Sequence, residues 1–418
     1  MVLRSQLNSK NKFEAINTLA IPVLMYSYCI VNWTKAELKR IDTKTRKLLT
    51  SNRAHHPKAD VDRIYIKRAE GGRGLLQVES TNQIATIGLQ QYLETTTDWM
   101  MQCVRVHESN KKLYSVEKKS SEYKKELNYV NQPIITKDAT SSAKQVKIIA
   151  KKRSQEQLKE RWKEKPLHGK FFKRTSDADI SKKETFSWLK SSSLKSETEG
   201  FLMAAQDQSL KTKNYLANVM KITTDASCRY CNKFTETVDH LVAGCPMLAR
   251  QEYLTRHNRV AQYVHWKICN HYGFKTSPKW YEHETPPVVE NNEAAILWDF
   301  SIQTDRSIPA NRPDIVIRDK KDKTCFLIDV SVPSDTNTSL KTYEKLTKYK
   351  DLEIELQRSW KLTTKTIPII IGALGCINKN VQQYLNAIPG KIDLYEIQKI
   401  TLLGTANILR KALSMNIV

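Results

Sequence analysis

At 418 residues the chain is too long for one ordinary hydrophobic core, and a scale of about 100–200 residues per domain predicts a multidomain protein. Hydrophobic residues make up 40% and charged residues 27%, with a mean hydropathy of −0.53, which excludes a multi-pass membrane protein and a wholly disordered chain. The 68 Lys and Arg against 44 Asp and Glu leave a net charge of +24; a polyanion neutralises such self-repulsion, so nucleic acid is the first partner to expect.

In chain order, the first long apolar run is Ala20 to Val31, broken by Pro22 and Ser27. It is short of the roughly 20 residues of a membrane span and reads as a buried helix. The residues from Met1 lack an apolar stretch followed by a small-residue cleavage site, so an intracellular, reducing setting is expected. From Asn8 to Leu49 the apolar positions recur at helical spacing, and Thr34 three residues before Glu37 has the form of a capping box. Gly71, Gly72 and Gly74 lack the dinucleotide and P-loop spacings and read as a plain turn.

Residues 111–174 hold 19 Lys and Arg against 7 Asp and Glu, a surplus of 12 that is half the net charge. With no strong apolar period, this stretch is either a solvated connector or an arm laid along phosphates. From Lys182 to Met220 helical patterning returns, with Phe186, Leu189, Leu194, Phe201, Leu202, Leu210, Leu216 and Val219 as candidate core.

The eight cysteines are scattered except for three in one short segment, unlike a disulfide framework. Cys228, Cys231, His240 and Cys245 offer three thiolates and an imidazole, the number and type that tetrahedral zinc prefers, and four protein ligands leave no open position. The centre is therefore read as structural Zn²⁺. Just after it, Tyr253, Arg256, His257, Asn258 and Arg259 combine groups suited to phosphate and base-edge contacts, or form a solvated helix face.

The C-terminal part alternates strands with helices, which predicts an α/β domain. Pro313–Arg318, Cys325–Val332 and Thr366–Leu374 read as strands, Leu340–Trp360 as an amphipathic helix, and about Lys379–Ile388 and Leu394–Met415 as helices covering the sheet. Asp314 and Asp329 fall in consecutive strands, where paired carboxylates suit Mg²⁺ and hence phosphodiester hydrolysis. Lys345 or Lys348 in the next helix can reach the strand ends, with Glu344 and Tyr349 alongside, and Asp299 and Asp305 are further acids upstream. Strand-edge carboxylates and helix lysines are common, so by themselves these residues leave a purely structural role open.

Several stretches together resemble one family. Cys228-Arg-Tyr-Cys231, His240 and Cys245, then Arg256-His-Asn258, Asn311-Arg-Pro-Asp-Ile315, Ile328-Asp-Val-Ser-Val-Pro333 and Glu344-Lys-Leu-Thr-Lys-Tyr349 resemble the C-terminal part of reverse transcriptases from non-LTR retrotransposons that carry a restriction-like endonuclease. Pro22–Ser27, Trp33–Leu38, Arg53–Lys58, Gly71–Leu75, His168–Phe171, Glu197–Glu199 and Ala204–Asp207 are similar to the region after the palm, so the resemblance covers nearly the whole chain.

It implies a thumb-like helical region over 1–105, a basic linker over 106–180, a helical linker with the zinc knuckle over 181–285, and a PD-(D/E)XK nuclease domain over 286–418. It also implies Mg²⁺ on Asp314 and Asp329, Lys345 or Lys348 as catalytic lysine, and nucleic-acid contacts from Arg256, His257, Asn258, Arg312 and Tyr349. The implied partners are target DNA and the element's RNA, with no membrane, in the nucleus. The resemblance implies nicking of DNA for target-primed reverse transcription. No Asp-Asp dipeptide of a polymerase palm occurs in the chain, so copying by this chain alone is not expected. The competing expectation is an inactive remnant that still binds nucleic acid.

Overall fold

The computed structural model describes residues 1–111, 114–129, 138–191 and 193–414. Residues 112–113 and 130–137 of the basic stretch, and Met415 at the end of the expected last helix, lie outside the described residues. The chain divides into two compact units, Met1–Phe172 with Leu189–Asp207, and Lys173–Trp188 with Gln208–Val418.

The first unit is helical. Helix α1 (Ser9–Ala15) is N-capped by the Asn8 side chain, and α2 (Ile21–Ser27) carries Pro22 in its first turn, where a missing N–H costs nothing. The expected burial of Ala20–Val31 is not met. Ile21 and Tyr28 sit in the core with Leu38, while Val23, Tyr26 and Ile30 are exposed at 72%, 84% and 77%. The run is apolar all round, but only one stripe of so short a helix meets the unit's interior.

Helix α3 (Lys35–Ser51) opens with the capping box that the Thr34/Glu37 spacing predicts: the Glu37 carboxylate accepts from Thr34 N at 2.9 Å and Thr34 Oγ1 accepts from Glu37 N at 3.3 Å. The glycine-rich stretch is a turn, with Gly71 at φ 97° and Gly74 at φ 73°; a Cβ on Gly72 would meet Ile66 O at 2.1 Å.

Helices α4 (Val78–Thr95), α5 (Val116–Glu126) and α6 (Ala139–Glu164) share a core of Ile87, Tyr123, Leu127, Val146 and Ala150. The described basic stretch is therefore no free connector. Helix α6 buries the narrow stripe Val146, Ala150, Ser154, Leu158 and Trp162, spaced four apart, and presents its lysines outward. Helix α7 (Ser196–Gln206) supplies Glu199, whose buried carboxylate is ion-paired with Arg73 Nε at 2.7 Å and Arg68 Nη2 at 2.5 Å; the adjacent Asp207 pairs with Arg63 at 2.7 Å. Of the candidate core residues in Lys182–Met220, Phe186, Leu189, Leu194, Leu202, Leu210 and Leu216 are buried, whereas Val219 is exposed.

The second unit is an α/β structure. Helix α8 (Leu254–His271) precedes a sheet of β1 (Val288–Glu290), β2 (Ala294–Trp298), β3 (Ile315–Asp319), β4 (Thr324–Ser331) and β5 (Thr363–Ile370), ordered β1-β2-β3-β4-β5. The first four strands are antiparallel neighbours, and β5 runs parallel to β4 after a helical crossover. That crossover is two helices, α9 (Thr338–Lys348) and α10 (Lys350–Trp360), and not the single expected one, because Tyr349 (φ −98°, ψ 7°) interrupts the helical backbone. Helices α11 (Val381–Ala387) and α12 (Leu394–Ser414) follow.

Alternate residues sort to the two faces of the sheet. Ile315, Ile317, Ile328, Val330, Ile367 and Ile369 pack with α8, α11 and α12, while Val316, Cys325 and Leu327 pack with Tyr349, Leu352 and Leu356. The chain is thus multidomain, helix-rich first and α/β towards its end.

Candidate carboxylate pair and Cys/His centre

The β3–β4 register pairs Ile315 with Ile328, so Asp314, one residue before β3, stands opposite Asp329. Directly opposed residues of an antiparallel pair share a face. Asp329 lies on the face of Val316, Leu327 and α10, whereas the carboxylate of Asp314, which precedes the strand, reaches towards α8 on the other side. Asp314 Oδ2 accepts from Val330 N at 2.6 Å and lies 2.9 Å from His257 Nε2 on α8. Burial opposes a charged imidazole there, but the Asp314 hydrogen bond and charge outweigh it and raise the His257 pKa from 6.5 to about 9.

Asp329 is buried at 2% exposure. Its Oδ2 accepts from Tyr349 Oη at 2.6 Å, and its Oδ1 lies 2.6 Å from Lys345 Nζ. That second contact is an ion pair that matches Oδ1 with the Lys345 ammonium. Lys348 Nζ is 3.9 Å from Oδ2 and donates instead to Tyr349 Oη at 2.8 Å. Burial and then the Asp329 charge raise the Tyr349 pKa far above its ordinary value, keeping the phenol a donor. The arrangement gathers two carboxylates and an ammonium where the start of β3 meets the end of β4.

Other candidates are placed elsewhere. Glu344 pairs with Lys341 at 2.6 Å, Asp299 with Arg312 at 2.8 Å, and exposed Asp305 lies 3.6 Å from Arg358.

Two expected nucleic-acid contacts are corrected by burial. Arg256 is 2% exposed, with its guanidinium donating to Thr405 Oγ1 and to the carbonyls of Val242 and Val332, because its position on α8 faces α12. Tyr349 is fully buried on Asp329. His257 is held by Asp314 and by Asn258, while Asn258 and Arg312 are exposed. Tyr253 is a brace: its hydroxyl accepts from Cys245 N at 3.0 Å and reaches the carbonyls of His240 and Leu241.

Cys228 and Cys231 lie on a tight loop closed by Cys228 N to Phe234 O at 2.8 Å and Asn232 N to Cys228 O at 2.9 Å, with Asn232 at φ 52°. His240 and Cys245 flank the helical turn that follows. The four ligand atoms lie within 4.8 Å of one another, with Cys228 Sγ 3.9 Å from Cys245 Sγ and Cys231 Sγ 3.4 Å from His240 Nε2. Tetrahedral zinc with bonds of about 2.3 Å to sulfur and 2.0–2.1 Å to nitrogen requires edges of about 3.8 and 3.6 Å. The cluster could therefore hold a metal such as zinc. A second group, His265, Cys269 and His283, escaped the sequence reading, although the i, i+4 spacing of the first two on an amphipathic helix is a signal for it.

Neither the protein-family models nor the curated proteins contain a match to this chain. Among the described residues no helix is long and apolar enough to cross a membrane.

Proposed function

We propose that this chain is the C-terminal part of a non-LTR retrotransposon reverse transcriptase and acts as a Mg²⁺-dependent DNA endonuclease of the PD-(D/E)XK type. In this reading it nicks target DNA to expose a 3′ end that primes copying of the element's RNA. The observation that carries the reading is the meeting of Asp314 and Asp329 at the paired ends of β3 and β4, where Val330 N donates to Asp314 Oδ2 at 2.6 Å and Lys345 Nζ lies 2.6 Å from Asp329.

The donor set fits a hard divalent cation, since both groups are carboxylates. When bound, magnesium supplies polarisation of the phosphoryl group and a lowered pKa for water. Asp314 and Asp329 are its protein ligands in this proposal. Lys345 sets a positive charge beside the reacting phosphate as negative charge develops. Tyr349 and His257 are positioning residues, each fixing one carboxylate by a hydrogen bond. Exposed Arg312, Asn258 and Arg259 are the candidates for contact with the DNA or RNA backbone. Zinc on Cys228, Cys231, His240 and Cys245 is structural, bracing a segment too short for its own core.

The test is nicking of supercoiled plasmid by the full chain with and without Mg²⁺. Loss of Mg²⁺-dependent nicking in both Asp314→Ala and Asp329→Ala is the expected result. Cleavage unchanged in both variants would overturn the proposal, while salt-sensitive binding without cleavage in the wild type would mark a binding remnant.

A further inference from the structure

His265 and Cys269 are one helical turn apart on α8, so both project from the same face of that helix. His283, just before β1, meets them from the other side of an intervening loop, and the three side chains are 0%, 1% and 6% exposed. His265 Nδ1 lies 2.9 Å from His283 Nε2, and Cys269 Sγ lies 3.6 Å from His265 Nδ1. The ligand atoms of all three lie within 4.8 Å of one another.

From this geometry we infer that His265, Cys269 and His283 form a second zinc site, separate from the Cys228 centre and independent of the nuclease reading. One thiolate and two imidazoles are a borderline-soft donor set that zinc accepts. Bonds of about 2.3 Å to sulfur and 2.0–2.1 Å to nitrogen call for an S···N edge of about 3.6 Å, as found, and an N···N edge of about 3.3 Å, which needs the two rings to part by a few tenths of an ångström.

The residues around the triad agree. Gln262 Nε2 donates to His283 O at 2.6 Å and fixes the loop that delivers the second imidazole. Trp298 of β2 stands edge-on to His265 with ring centroids 5.4 Å apart, which limits the ring's orientation. All three ligand residues line one cleft of about 350 Å³, which has room for a water as fourth ligand. Zinc there ties the loop after α8 to the helix itself, at the end of the sheet that carries β1.

The test is the metal content of the purified full chain, loaded with Zn²⁺ and dialysed, by atomic emission. Two equivalents per chain are expected, falling to one in Cys269→Ser and to one in His283→Gln, and separately to one in Cys231→Ser. His283 lies in a loop, so His283→Gln reports even if the helix variant fails to fold. Loading with Co²⁺ adds a spectroscopic check: the ligand-field bands retained in Cys231→Ser lose intensity when Cys269→Ser is added. A wild-type metal content of none, or one that neither Cys269→Ser nor His283→Gln lowers, overturns the inference.

Discussion

The Tyr349 hydroxyl donates to Asp329 Oδ2 at 2.6 Å from the point where the crossover between β4 and β5 breaks into two helices. The break and the bond belong together, because a residue with non-helical ψ turns its ring into the sheet and onto the carboxylate. Replacing the phenol with Tyr349→Phe leaves a buried carboxylate short of a donor worth about 1.5–3 kcal/mol. The variant is expected to unfold at lower denaturant by that amount and to nick plasmid about tenfold more slowly.

Lys345 and Lys348 are separable. Lys345 Nζ is at 2.6 Å from Asp329 and largely shielded, whereas Lys348 Nζ is at 3.9 Å and bonded to the Tyr349 hydroxyl. Lys345→Ala is expected to lower the single-turnover nicking rate about 100-fold, as loss of a preorganised charge does. Lys348→Ala should cost less than about tenfold. Equal effects from the two variants would contradict this assignment.

The His257 imidazole is predicted to titrate near pH 9 in metal-free protein, against an ordinary value of 6.5. Its folded pKa is raised, so the stability it contributes is fully present below about pH 6.5 and is lost as pH rises through about 9. Ring-proton NMR on the wild type and on Asp314→Asn measures this. The substitution should bring the pKa down, because burial then acts without the carboxylate.

Removing the Cys228 centre's metal should loosen the loop that carries Cys228 and Cys231. Chelation, or Cys231→Ser, is expected to lower the thermal midpoint and expose the segment around residues 226–245 to limited proteolysis, with restoration on adding Zn²⁺ to the wild type alone.

In the first unit Glu199 is fully buried between Arg73 and Arg68. Glu199→Ala leaves two guanidiniums without their carboxylate and should destabilise the unit by about 3–5 kcal/mol in urea titration, with no direct effect on the Asp314 and Asp329 pair.

What the sequence made legible is the elements and the Cys/His cluster. The two apolar β runs that hold Asp314 and Asp329 do become the neighbouring strands β3 and β4 or their flanks, and Cys-x2-Cys followed by His and Cys does converge. The choice between Lys345 and Lys348 was not legible, because it depends on the phase at which the crossover helix passes the sheet. Arg256 was misread because its burial comes from α12, far away in sequence. Helix α6 had no visible period because Ser142, Ala143 and Ser154 occupy much of its buried stripe, and small residues carry little hydropathy signal. The strands β1 and β2 went unread: Val288–Glu290 is too short to show alternation, and Ala294–Trp298 is uniformly apolar.

The mixed pairing of the sheet bears on the order in which its parts assemble. Strands β3 and β4 join through a short turn, so a nearby chain reversal suffices to bring the Asp314 and Asp329 segments together. Strand β5 can dock only after the two crossover helices have closed a much longer loop, and Lys345 travels with them. The two negative groups therefore meet before Lys345 arrives, with the His257 imidazole of the earlier helix α8 already beside Asp314. A nascent chain halted before residue 345 would hold that hairpin with Asp314 paired to His257 and Asp329 still without Lys345.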